Sequence, residues 1–175
     1  TSGGDNLGTV TILGDASGKA QSINGDIGSS SSSDIKVLNI GESGVSTNYS
    51  TTTINGNVFA NSTVLNNGTT NSSELILASG KNITSTITTA DDGKGILTLA
   101  GGTQTVNGTV GDSLNKLAEV NAGANGATST FTGDVFATNL DVEGTGTVNL
   151  DGNFTGTAIR YNADGTVVVA DTKNI

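Results

Sequence analysis

Gln21-Ser22-Ile23-Asn24-Gly25-Asp26-Ile27-Gly28 returns further along the chain as Gln104-Thr105-Val106-Asn107-Gly108-Thr109-Val110-Gly111, with six of the eight positions keeping the residue or its type. Other blocks answer one another in the same order. Gly8-Thr9-Val10-Thr11-Ile12-Leu13-Gly14 matches Gly95-Ile96-Leu97-Thr98-Leu99-Ala100-Gly101, and Val37-Leu38-Asn39-Ile40-Gly41 matches Glu119-Val120-Asn121-Ala122-Gly123. Gly56-Asn57-Val58-Phe59-Ala60 matches Gly133-Asp134-Val135-Phe136-Ala137, and Ala78-Ser79-Gly80-Lys81-Asn82-Ile83 matches Ala170-Asp171-Thr172-Lys173-Asn174-Ile175. The offset drifts between 77 and 92 residues. Two β-rich repeats, 1–87 and 88–175, are therefore expected, together forming one continuous solenoid in which each unit buries its neighbour's surface.

The matched blocks sit within short alternations of apolar and polar residues at 9–13, 34–40, 57–65, 74–78, 83–88, 96–100, 105–110, 134–142, 145–154 and 166–170. Such a period-two pattern predicts strands. Asn-Gly or Asp-Gly pairs separate them at Asn24, Asn55, Asn67, Asp92, Asn107, Asn125, Asp151 and Asp164, and these pairs suit turns that need positive φ. Residues 113–120 offer the only brief helical candidate, and the serine run 29–33 is expected to be locally disordered.

Two all-β architectures satisfy this pattern. In a right-handed parallel β-helix the turns are corners, and like residues stack one coil above another at about 4.8 Å. In an antiparallel β-sandwich they are hairpins. The β-helix is preferred because a sandwich wants bulkier inward side chains. This chain of 175 residues has four Phe, two Tyr and no Trp, Met, Cys, Pro or His. Its core must be thin and built from Val, Ile, Leu, Ala and Thr.

Sixteen acids against seven scattered bases give a net charge of −9, which disfavours a phosphate backbone or an anionic bilayer as partner. No apolar run approaches the roughly 20 residues needed to span a membrane as a helix. The lack of Cys suits an exported protein that does not rely on disulfides.

The residues offer little chemistry. Without His or Cys the chain lacks the usual neutral-pH proton shuttle, thiol nucleophiles and most transition-metal ligands. The carboxylates Asp91-Asp92, Asp141 with Glu143, and Asp134 with Asp151 resemble acid and base pairs of polysaccharide cleavage only in residue type; turns and solvated strand positions account for them. No enzymatic activity is expected, and no catalytic, cofactor-binding or metal residue is assigned. Gly3-Gly4-Asp5-Asn6-Leu7 and Asp91-Asp92-Gly93-Lys94-Gly95 loosely resemble calcium coils without the nonapeptide spacing, so structural calcium has no named ligand. Gly144-Thr145-Gly146 is too short for a dinucleotide fingerprint. Asn-x-Ser/Thr triplets at Asn48, Asn61, Asn67, Asn71, Asn82, Asn107 and Asn153 are glycan acceptors wherever a suitable transferase is present.

Several phrases carry a family resemblance: Lys81-Asn82-Ile83-Thr84, Gly95-Ile96-Leu97-Thr98-Leu99, Val106-Asn107-Gly108-Thr109-Val110-Gly111, Ala137-Thr138-Asn139-Leu140, Gly146-Thr147-Val148-Asn149-Leu150-Asp151-Gly152-Asn153-Phe154-Thr155-Gly156 and Ala163-Asp164-Gly165-Thr166-Val167. They resemble the repeats in passenger regions of rickettsial-type outer-membrane surface antigens, which are autotransporter adhesins. The resemblance implies a β-helical passenger displayed on a bacterial outer surface, with an adhesive or coat-forming role towards host or neighbouring cells. It carries over no functional residue.

The alternative expectation is a self-assembling subunit of an extracellular filament or surface layer, whose partners are like copies of itself. Lys81-Asn82-Ile83 is followed by Thr84-Ser85, while Lys173-Asn174-Ile175 and Thr1-Ser2 stand at the two ends. Joined head to tail, the phrase would recur, as it would in a window cut from a longer array or a subunit docking on the next.

Overall fold

The computed structural model describes residues 6–29, 34–44 and 47–175. Their strands wind into a right-handed parallel β-helix of about six turns. Every strand-to-strand pairing among the described residues is parallel, which excludes the sandwich and its hairpins.

Each coil visits three faces. Face 1 stacks β1 (Thr9–Ile12), β3 (Ile35–Ile40), the second part of β5 (Val58–Leu65) and of β7 (Ile83–Thr89). It continues upward through Val110, then Val135 at the start of β12 (Val135–Val142), then β14 (Phe154–Thr155). Face 2 stacks β2 (Ala20–Ile23), β4 (Thr51–Ile54), β6 (Glu74–Leu77), β8 (Lys94–Leu99), β10 (Leu117–Ala122), the second part of β12, and β15 (Ala158–Tyr161). Face 3 begins as single contacts from Ile27 to Val58 to Ile83 and lengthens into β9 (Thr103–Asn107), β11 (Thr128–Phe131), β13 (Thr147–Leu150) and β16 (Thr166–Val169). One column on face 1 reads Val10, Leu38, Thr63, Ile87, Val110, Val135, Phe154, one residue per coil.

The long faces change along the axis. Faces 1 and 2 are long below β8, and faces 2 and 3 are long above it. This gives the internal repeat its physical meaning. Residues 8–14 lie on face 1 and their match, 95–101, on face 2. Residues 56–60 place Val58 on face 3, and their match places Val135 on face 1. All five matched blocks land one face further round. The sequence repeat is thus a screw relation that exchanges faces, while the packing unit is the coil. The midpoint at 87/88 falls inside β7.

The interior is thin, as the composition requires. One inward column on face 2 reads Thr52, Leu75, Leu97, Val120, Leu140, all fully buried. The alternating burial of β4, β6, β8 and β13 is the period-two pattern seen in cross-section.

Not every turn glycine supplies positive φ. A Cβ on Gly133 would lie 2.6 Å from the Gly108 carbonyl oxygen, and one on Gly152 would lie 2.3 Å from that of Gly133. These two are required by the close approach of successive coils at a corner.

Five strands, β2, β4, β10, β11 and β15, escape the sequence alternation. Residues 113–120 are irregular before entering β10 and form no helix. Most of the serine run 29–33 lies outside the described residues.

Candidate functional site

The outer surface of face 2 carries the densest polar chemistry of the described residues. Strand alternation points one column outward, Ser22, Thr53, Ile76, Thr98, Asn121, Asp141, Arg160, at one residue per coil. Thr98 donates its hydroxyl to Glu74 Oε1 at 2.7 Å, and Asn121 Nδ2 donates to Thr98 Oγ1 at 3.1 Å. Arg160 grips Asp141 with two guanidinium nitrogens and donates to Glu119 Oε2 at 2.8 Å. Its side chain bridges two coils, and Asp141 beneath it is only 4% exposed despite facing outward.

The Asp141 hydrogen bond, supported by the charges of Asp141 and Glu119, raises the Arg160 pKa against the opposing effect of desolvation. The guanidinium stays charged and the fork remains two-pronged. Asn121 Oδ1 is the buried side-chain oxygen without a hydrogen bond among the described residues.

A second set of ladders lines the corners that enter the β-bridge positions. Asp26 Oδ1 accepts the Asn57 backbone N–H at 2.7 Å, Asn57 Oδ1 accepts that of Asn82 at 2.9 Å, and Asn82 Oδ1 accepts that of Thr105 at 2.7 Å. In the upper coils Asp134 Oδ1 accepts the Asn153 N–H at 2.8 Å, and Asn153 Oδ1 accepts that of Asn174 at 3.1 Å. Each rung satisfies a corner amide of the next coil and fixes register.

Bonds between coils hold four of the six carboxylates paired in the sequence reading: Asp92, Asp134, Asp141 and Glu143. Asp134 is a rung, whereas Asp151 is an exposed turn residue. Asp92 Oδ1 accepts the Lys116 N–H at 2.9 Å, and Asp91 lines a polar groove of about 290 Å³ with Glu42, Asn66 and Asn67. Asp141 pairs with Arg160 while Glu143 accepts from Asn162 Nδ2 at 3.0 Å. Gly3-Gly4-Asp5 lies outside the described residues. No group of three or more potential metal-ligating side chains occurs among the described residues.

Several acceptor triplets are also tied into the scaffold. Asn67 donates to Leu65 O at 2.9 Å and Thr89 Oγ1 at 2.7 Å, while Asn82 and Asn153 are rungs. Asn61 and Asn71 stand exposed. The buried Gln104, which pattern reading passed over, donates to the carbonyls of Leu77, Ala78 and Lys81 one coil below at 3.0–3.3 Å and accepts from Gly101 N at 2.8 Å. Its recurrence at Gln21 was the available signal.

No family model, curated protein or solved structure matches the chain.

Proposed function

We propose that this chain is a structural and adhesive passenger segment of a bacterial surface protein, displayed outside the cell and without catalytic activity. The observation that carries the reading is the outward polar column along face 2, bonded from Glu74 through Thr98 to Asn121 and again from Asp141 to Arg160, which repeats polar groups at coil spacing. A partner that contacts several coils at once gains avidity from this regular presentation without requiring any deep pocket. The acidic balance of −9 and the resemblance of residues 81–175 to passenger repeats support the same reading.

The test is export and display. The 175-residue chain, placed between a signal sequence and an outer-membrane translocator barrel in a Gram-negative host, is expected to become accessible to external antibody and to increase adhesion of the cells. Efficient display without any gain in adhesion to host or neighbouring cells would overturn the adhesive part. Retention of the folded chain in the periplasm would overturn the passenger part.

A further inference from the structure

We draw no further inference here: the strongest candidate, the outward surface of face 3 where Thr103, Thr128 and Thr147 stand in one column beside Thr105, Thr130 and Asn149, is a patch of small polar residues, and nothing in the structure shows what covers it.

Discussion

The coils below β8 bury Ser50, Thr52, Thr63, Ser73 and Thr89 beside their aliphatic residues, whereas the coils above it are filled by Leu117, Val120, Phe131, Leu140 and Val148. Coil length differs in the same direction. Asn24 and Asn55, bonded across the lowest coils, are 31 residues apart, and Asp141 and Arg160, bonded across the highest, are 19 apart. Longer coils carry extra loop at their corners. There the interior is closed by hydroxyl pairs such as Ser50 with Thr52 at 2.7 Å and Thr63 with Ser85 at 2.8 Å. Short coils leave little but the three faces, which apolar volume fills. Both regions have cross-coil hydrogen bonds and an aliphatic interior; the difference is that the lower coils also seat hydroxyl pairs inside, where the upper coils rely more on apolar volume.

Phe131→Ala should make the largest difference between the two regions. It empties a fully buried ring position and is expected to cost about 3–5 kcal/mol of unfolding free energy. Because solenoids are stabilised through nearest-neighbour interfaces, amide-exchange protection should fall first in β9, β11 and β13 while β4 retains it. An equal loss in β4 would mean that the halves unfold as one body, and the contrast would collapse.

Thr63→Ala tests the hydroxyl-held region and is expected to cost about 1–2 kcal/mol, since it takes the hydroxyl partner from Ser85 in the interior. Adding Ser85→Ala should recover part of that loss. Urea unfolding of the two single variants and the double gives the coupling, and strict additivity would deny the pair its role.

The two copies of the Lys-Asn-Ile turn sharpen the comparison further. Gly80 and Thr172 share φ 70°, a conformation that costs a side-chain-bearing residue about 1–2 kcal/mol and that glycine adopts freely. Thr172→Gly is therefore expected to raise stability by about 0.5–1 kcal/mol after the added freedom of the unfolded chain is counted, and Gly80→Ala to lower it by about 1 kcal/mol. Thermal unfolding with opposite signs for the two changes is the expected result.

The smallest effect concerns the lowest described coil. The Ser17 hydroxyl, then the backbone N–H groups of Lys19 and Ser17, lower the Asp15 pKa from 3.8. A depressed carboxylate contributes stability that is present above its unfolded value and lost as pH falls through its folded value. Loosening of the turn at residues 15–19, over which the Tyr49 hydroxyl donates to Ser17 O at 3.0 Å, is expected only below pH 3.8. NMR shifts of Ser17 and Lys19 followed through acid titration should show it, and Asp15→Asn should remove that transition.

Strands such as β6, β8 and β16 were legible because Leu75 and Leu77, Leu97 and Leu99, and Val167 and Val169 alternate with outward residues. β4 and β11 were not, because inward Thr52 and Ser129 carry no apolar signal. In β10 the buried Leu117 and Val120 are three apart, which breaks the two-residue period. The candidate site was less readable still. Asp141 looked like one more surface acid until Arg160, distant in sequence, was placed over it.

By itself the sequence determined that this protein is all-β, thin-cored and built from stacked units, because alternation, turn chemistry and the scarcity of large side chains act locally. Only the tertiary structure decided that the coil has three faces and that the repeat is a rotation from one face to the next. Those facts depend on which residues meet about one coil apart, and hydrogen bonds between coils set that register independently of any local pattern.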